Sequence, residues 1–273
     1  MTIEEIVEIN KSILDLWKSS HNKLNLGYKK KSVNCKAELF WPNLHPIPHP
    51  LIPIELLVVG LNPSDKFPNH IEKVKEYQND LSNPTSRLSN KILLAIAAKK
   101  YKQGENSAVQ ALKYKKQQYS ADEILEFEKI GQKEHNYFKK LLVLVNAITS
   151  VKNITYHIDL YQFRESNSHL VKKFFLPNNE YFFKKQAELT FEYIEKVQPK
   201  MIFVANKYAS DVFFKKYGTP CFNEYFGCYI IKIKGKDTPL ILSGMITQTR
   251  SIDDFSFERL KWHMKKIMIE FYS

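Results

Sequence analysis

An asparagine stands where the first strongly apolar segment of this sequence stops. The segment Ile54–Val59 is mostly apolar, and Gly60, Leu61, Asn62 and Pro63 follow it directly. Asparagine is not a strong base, but its side-chain carbonyl can hold a water molecule by a hydrogen bond. Loops beyond the carboxyl ends of parallel strands bind ligands in α/β proteins. Asn62 is therefore interpreted either as a water-holding residue of an active-site loop or as part of an ordinary Asn-Pro turn.

Two side chains with acid–base chemistry end a second apolar segment, Ile154–Leu160. The Asp159 carboxylate accepts hydrogen bonds, and it donates one only when it is protonated. His157 lies two residues earlier, so both side chains face the same side of a regular strand. Asp159 is interpreted either as a ligand-binding group or as a helix cap or ion-pair partner of Arg164. For His157, a hydrogen-bonded core position is favoured over a role in polarising a ligand.

A third group of candidate residues follows the segment Leu240–Leu242, in the loop "GMITQTR". Met245 and Ile246 are apolar, Arg250 is cationic, and Ser251 or Asp253 is placed to cap the last helix. An ordinary βα loop seldom carries two apolar residues and an arginine before the cap. The composition of this loop therefore indicates a function.

The elements that position these residues are short apolar strands alternating with helices. None of the strands alternates cleanly between apolar and polar residues, as expected of parallel strands that are covered on both faces. The predicted core strands are Glu55–Gly60, Ile154–Leu160, Met201–Ala205 and Leu240–Leu242. The run "CYIIKIKG" predicts an additional edge or hairpin strand before the fourth of them.

Helical patterns lie between and around the strands. A capping box of Thr2 and Glu5 opens an N-terminal helix with an isoleucine stripe. Three more helical stretches are "ADEILEFEKIGQKEHNYFKKLLVLVNAI", "NNEYFFKKQAELTFEYIEKVQ" and "DDFSFERLKWHMKKIMIEFYS". This order predicts one domain over residues 1–273, a three-layer α/β/α fold with a central four-stranded, mostly parallel sheet. Residues 1–53 form the N-terminal helix and a proline-rich lead-in. Residues 64–120 form a long insertion, which is usually a functional feature.

The amino-acid composition limits the kinds of partner that this protein is expected to bind. Lys and Arg number 41 against 29 Asp and Glu, a net charge of +12. This surplus favours a polyanion, DNA above all, although a lysine-rich surface explains it equally well. Three cysteines, Cys35, Cys221 and Cys228, predict reduced thiols in a cytoplasmic protein and no metal centre. The N-terminus lacks a signal-peptide pattern, and no apolar run has the length of a membrane span.

The order of these motifs resembles the uracil-DNA glycosylase superfamily. The similarity is greatest to its mismatch-specific and single-strand-selective types, which begin with a Gly-x-Asn-Pro loop like Gly60–Pro63. It spans roughly Leu56 to Leu260, and "NPTSRLSNKILLAIA" and "QPKMIFVANKYASDVF" also look like family segments. The resemblance implies that Asn62 orients the attacking water, and that Gly60, Leu61, Pro63 and Ser64 line the base pocket.

The resemblance also implies base flipping, which needs an aromatic platform and a wedge. Phe67 and Tyr77 are the candidates for the platform, with Tyr77 slightly favoured. Asp159 stands where the family has a base-reading asparagine, and His157 lies beside it. The wedge and DNA-contacting loop consists of Met245, Ile246, Thr247, Gln248 and Arg250.

Two departures from the family pattern bear on activity. Ser64 replaces a glycine, and the last loop has no histidine to stabilise the departing base, although some mismatch-type members also lack it. Family members with iron–sulfur clusters need four cysteines, so the three present exclude those types. The resemblance thus predicts a monomeric, monofunctional DNA glycosylase without metal or organic cofactor. It would excise a uracil-like or cytosine-derived base, in DNA repair or in defence against foreign (phage) DNA.

Two other interpretations remain open. One is a catalytically inactive member of the superfamily that acts as a DNA-binding module. The other is an unrelated α/β nucleotide-processing hydrolase, which would need a glycine-rich phosphate loop that the sequence does not offer.

Overall fold

The computed structural model of this protein has a mixed α/β fold. It describes residues 4–13, 15–16, 19–20, 54–61, 136–148, 155–162, 180–218, 220–246 and 252–273. Within these ranges it has five helices and six strands. The helices are α1 (residues 4–13), α2 (Asn136–Ile148), α3 (Glu180–Val197), α4 (Lys207–Lys216) and α5 (Asp254–Glu270). The strands are β1 (Leu56–Gly60), β2 (Thr155–Asp159), β3 (Met201–Ala205), β4 (Cys221–Asn223), β5 (Cys228–Ile233) and β6 (Lys236–Ser243).

All six strands belong to one sheet, in the order β2-β1-β3-β6-β5-β4. The pairs β1–β2, β1–β3 and β3–β6 are parallel, whereas β5 is antiparallel to both β4 and β6. The parallel part contains the four predicted core strands. In the sheet, β2 lies on one side of β1, whereas β3 and β6 lie on the other side. The connections that follow β1 and β3 therefore run in opposite directions. The carboxyl ends of β1 and β3 therefore form the topological switch point at which α/β proteins bind ligands.

The central strands are buried on both faces because helices cover each face. Leu57 and Val59 of β1 belong to a core cluster that includes residues of α1, α3 and α4. Leu56 and Val58 belong to a second cluster with residues of α2 and α5. This alternation gives the parallel strands their near-continuous apolar sequences, and it confirms helical layers on both sides of the sheet.

The sheet is wider than the predicted four strands because an antiparallel addition extends it. The predicted hairpin strand is β5, and β4 pairs with its outer edge. Lys234 and Gly235 connect β5 to β6 with φ values of 47° and 82°, the geometry of a two-residue hairpin that matches strand twist. The first half of β6 pairs with β5 and its second half with β3. Charged residues and Pro239 conceal that first half in the sequence.

The helix predictions agree with the described ranges. Ile6, Ile9 and Ile13 of the predicted stripe are buried on α1. The end of the long stretch after residue 120 forms α2, and the other two predicted stretches form α3 and α5. Asp253 caps α5, because its side chain accepts a hydrogen bond from the Ser256 backbone N–H at 2.9 Å. Cys221 and Cys228 are free thiols. The predicted insertion at 64–120 and Cys35 lie outside the described residues.

Candidate functional site at the carboxyl edge of the sheet

Strands β1 and β2 end level with each other at the carboxyl edge. Gly60 pairs with Asp159 in the parallel register. The pairing extends beyond the strands, because the Leu160 N–H donates to the Gly60 carbonyl at 3.1 Å and the Tyr161 N–H to the Leu61 carbonyl at 2.9 Å. Leu61 itself is buried. The backbone just before Asn62 is therefore held in place by β2.

Gly60 lies directly against the Asp159 carboxyl group. A Cβ atom at Gly60 would overlap Asp159 Oδ1, and it would lie 3.2 Å from both Asp159 Cγ and His157 Nε2. Any other residue at this position would have to displace the carboxyl group. The carboxyl and imidazole groups thus converge on one glycine, as expected from their predicted position on the same strand face.

The Asp159 side chain is withdrawn from water, with only 4% of the residue exposed. Burial raises the pKa of its carboxyl group from 3.8 to about 8, since desolvation penalises the charged form. None of the described residues donates a hydrogen bond to this carboxyl group. With a pKa of about 8, the protonated form, which has one O–H donor and a carbonyl acceptor, predominates at neutral pH. Donation by the Asp159 carboxyl group requires a proton, and burial favours the protonated form.

The backbone around Asp159 is tightly held. The Gln162 side chain donates from Nε2 to the Asp159 carbonyl at 2.5 Å, and Thr190 Oγ1 on α3 donates to the Leu160 carbonyl at 3.1 Å. Residues 160–162 are not helical, so Asp159 does not cap a helix there. These contacts fix the end of β2 and hence the position of the acid.

His157 is half-buried beside the acid. The Phe138 ring on α2 meets the imidazole edge-on, with ring centroids 5.2 Å apart and planes at 82°. Phe138 also packs against the core cluster that contains residues of α2 and α5. The aromatic contact orients the imidazole, so His157 combines a place at the core with proximity to Asp159.

The end of β6 supplies the other side of this edge. Met245 is partly exposed, whereas Ile246 is fully buried in the core cluster with Phe257 of α5. Of the two predicted wedge residues, only Met245 has access to the surface. The Ile246 side chain packs with α5, so Met245 is the better placed of the two alternatives, and the wedge stays a prediction.

The remaining predicted site residues lie outside the described residues. They are Asn62, Pro63, Ser64, Phe67, Tyr77, Thr247, Gln248 and Arg250. Their roles stay predictions from the resemblance. Arg164, the alternative ion-pair partner of Asp159, also lies outside.

Three polar residues at this edge escaped the sequence interpretation. Asn206 follows β3 and caps α4, since its Oδ1 accepts hydrogen bonds from the N–H groups of Tyr208 at 2.9 Å and Ala209 at 3.2 Å. Ser210 Oγ donates to the Ser243 carbonyl at 2.9 Å and ties α4 to the end of β6. The cap is readable in the sequence as an asparagine after an apolar strand. The roles of Ser210 and of the third, Gln162, depend on contacts between elements and leave no local signal.

No group of three or more His, Cys, Asp and Glu side chains suited to a metal ion occurs in the described ranges. Among the same residues, no helix is both long and apolar enough to cross a membrane. No model of a known protein family and no curated protein sequence matches this chain.

Proposed function

We propose that this protein is a monofunctional DNA glycosylase that excises a single flipped base. The observation that carries the proposal is the convergence of Asp159 and His157 on Gly60, at the strand end that leads into the Gly-x-Asn-Pro loop. Ligands of α/β sheets bind beyond the carboxyl ends of the strands, and this edge offers a buried donor and acceptor together. The basic composition, with 41 Lys and Arg against 29 Asp and Glu, is consistent with a DNA partner.

The proposed reaction is hydrolysis of the N-glycosidic bond. Asn62 holds a water molecule whose oxygen forms the new bond to the sugar carbon. The bond between that carbon and the base nitrogen breaks, its electron pair stays with the base, and negative charge spreads to the base carbonyl. A protonated Asp159 donates its hydrogen bond to that carbonyl, where charge develops. The water proton is released as the abasic sugar forms, and the base leaves protonated or as an anion that solvent protonates.

The protonation of Asp159 widens the range of bases that fit. Its O–H and C=O groups match the carbonyl and N–H of a uracil-like edge. They also match the ring nitrogen and amino group of a cytosine-like edge. An ionised aspartate would accept from amino and N–H groups only. Both uracil-like and cytosine-derived bases therefore remain candidate substrates, and a monomer suffices for either.

An excision assay tests the proposal. Labelled oligonucleotides carrying uracil, mismatched thymine, hypoxanthine, xanthine or modified cytosines are incubated with the protein, and abasic sites are detected by strand cleavage in alkali. We expect one base class to be excised, and Asn62→Ala and Asp159→Ala to abolish the product. Asp211→Ala, an exposed aspartate on α4, is the matched control and should remain active. Excision of uracil alone favours repair of the cell's own DNA, whereas excision of modified cytosines alone favours action on foreign DNA.

The pH dependence of excision adds a second readout. Wild-type activity should fall as the pH rises through about 8, because Asp159 loses the proton it donates. Asp159→Asn keeps a donor and an acceptor at every pH, so its residual activity should lack this alkaline decline. A decline shared by both proteins would remove Asp159 from the mechanism.

The second candidate function is a catalytically inactive DNA-binding module. Ser64 in place of glycine and the loop from Gly244 without a histidine favour it. If the protein binds DNA in a salt-dependent manner and leaves every base of the panel intact, this function replaces the glycosylase.

A further inference from the structure

The outer face of α5 carries large apolar side chains that water surrounds. Phe255, Trp262 and Ile269 are 84%, 66% and 61% exposed, and they are seven residues apart. Arg259 and Lys266 lie between them along the helix. Residues spaced by four, three, four and three positions share one helix face. We define these five residues as the α5 stripe.

The α5 stripe is separate from the face by which α5 joins the core. Phe257, Met264 and Ile267 point to the sheet and belong to the core cluster shared with α2. The stripe is therefore a second apolar face, and packing within the described part of the chain does not account for it. Several large exposed apolar side chains aligned on one helix face form a candidate interaction surface.

Cations accompany the aromatic rings of this face. Lys266 Nζ lies 4.6 Å from the centroid of the exposed Tyr225 ring and 5.8 Å from that of Trp262. Both distances are within the range of a cation–π contact. Aromatic faces next to cations provide what a single-stranded nucleic acid needs, since bases stack on the rings and phosphates pair with the cations.

The acidic residues of this face are already engaged by neighbours. Glu258 pairs with Lys261 at 2.5 Å. Glu270 accepts a hydrogen bond from the Tyr225 hydroxyl at 3.0 Å and lies 3.9 Å from Lys266. Glu258 thus offsets Lys261 at the margin and Glu270 lies near Lys266 of the stripe, while Arg259 donates only to Ser256 Oγ among the described residues. A polyanion therefore meets a face whose acidic groups are already paired.

The helix that carries the stripe begins next to α2, which also contacts the candidate site. Lys140 of α2 lies 3.6 Å from Asp254 in the first turn of α5, and α2 also carries Phe138, which contacts His157. At the other end, the Tyr272 hydroxyl donates to the carbonyl of Lys200, just before β3. The α5 stripe therefore runs from the carboxyl edge to the opposite edge of the sheet. Phe255 to Ile269 covers about 21 Å at 1.5 Å per residue.

We propose that the α5 stripe, together with Tyr225, binds single-stranded DNA that extends from the site at the carboxyl edge. This function is additional to base excision, and a DNA-binding module without catalytic activity would use the same surface. A second copy of the chain fits less well. An antiparallel copy centred on Trp262 would set Arg259 of one chain against Lys266 of the other, and like charges oppose such a contact.

The test is a fluorescence anisotropy titration with a labelled single-stranded oligonucleotide of ordinary bases, at several salt concentrations. Trp262→Ala should weaken binding about tenfold, the effect of losing one stacked base. Trp262→Phe should restore most of the affinity. Tyr181→Ala is the matched control, because Tyr181 is 65% exposed on α3, on the other side of the sheet. The Tyr181→Ala variant should bind the oligonucleotide with the affinity of the wild-type protein.

Three results would overturn the proposal. The first is that the Trp262→Ala and Tyr181→Ala variants bind the oligonucleotide equally well. The second is that the wild-type protein does not bind it at low salt. The third is that the wild-type protein sediments as a dimer and the Trp262→Ala variant as a monomer. The test is independent of excision, because the oligonucleotide contains no substrate base. If the wild-type protein excises no base but binds the oligonucleotide in a Trp262-dependent manner, the proposed glycosylase activity is refuted and the proposed role of the α5 stripe is supported.

Discussion

The carboxyl edge near Gly60 and the outer face of α5 depart from ordinary protein composition in opposite ways. At the edge, a carboxylic acid is buried, and at the outer face, aromatic rings are exposed. Scattered exposed apolar residues are normal, so the informative observations are a buried polar group and several large exposed apolar side chains aligned on one helix face. At the edge, burial changes the chemistry of a side chain, whereas at α5, exposure leaves side chains free for a partner. The first arrangement suits a reaction and the second suits binding.

The largest expected contrast lies between two phenylalanines on the same helix. Phe257 is 5% exposed and packs in the core, while Phe255 is 84% exposed. Phe257→Ala should lower the free energy of unfolding by about 3–5 kcal/mol, because it leaves a cavity. Phe255→Ala should change it by less than about 0.5 kcal/mol. Urea unfolding followed by circular dichroism measures both. Equal effects would mean that the α5 stripe is a structural face and not a free one.

The buried acid predicts a pH-dependent stability difference. Below about pH 4, both the folded and the unfolded chain hold the Asp159 proton. Between its ordinary pKa of 3.8 and the raised value of about 8, only the folded chain keeps it. The free energy of unfolding therefore falls as the pH rises in this window, by at most about 1.4 kcal/mol per pH unit. Above about pH 8, both states are ionised and the fall ends.

Asp159→Asn removes this titration. Relative to wild type, the variant should become more stable by roughly 2–3 kcal/mol between pH 5 and pH 7. Thermal unfolding across this range measures the difference, and other titrating groups cancel in the comparison. A parallel profile for Asp159→Asn would show that the carboxyl group is ionised in the folded protein.

The smallest of these effects concerns the glycine against which the acid packs. Gly60→Ala should cost about 1–3 kcal/mol, because the added methyl group must displace the Asp159 carboxyl group. Gly244→Ala is the control, since a Cβ at Gly244 meets no atom within 4 Å. The double variant Gly60→Ala, Asp159→Ala should recover part of the loss, which a double-mutant cycle in urea measures. Additive losses would mean that the two residues do not touch.

The parallel strands were predictable because each is a short apolar run with helices on either side. The sequence also predicts the shared face of His157 and Asp159, since side chains in a strand alternate with a period of two. The first half of β6 was hidden, because Lys236, Asp237 and Pro239 resemble a turn. β4 has only three residues, and its pairing with β5 is what makes it a strand.

The properties of the candidate site were less accessible. The close approach of Gly60 to Asp159 depends on the register between β1 and β2, which no local pattern specifies. The raised pKa of Asp159 follows from burial by distant elements. The burial of Ile246 likewise depends on how α5 packs. The exposure of the α5 stripe required knowing which of its two apolar faces meets the sheet.

The double pairing of β6 has a consequence for the order of folding. Ile233 and Lys236 pair across a two-residue turn, whereas Gly60 and Asp159 come together across a long stretch of chain. Hairpins close within about 1–10 μs, and pairings between distant segments form more slowly. We expect the hairpin of β5 and β6 to form first and to present its free edge to β3, with β1 entering last, between β3 and β2. Pulse-labelled hydrogen exchange would reveal this order as early protection of Ile231 and Ile233 and late protection of Leu160. The arrangement of Asp159 against Gly60 would then form only in the final folding step. A partly folded chain would contain the hairpin, but its Asp159 carboxyl group would not yet be buried.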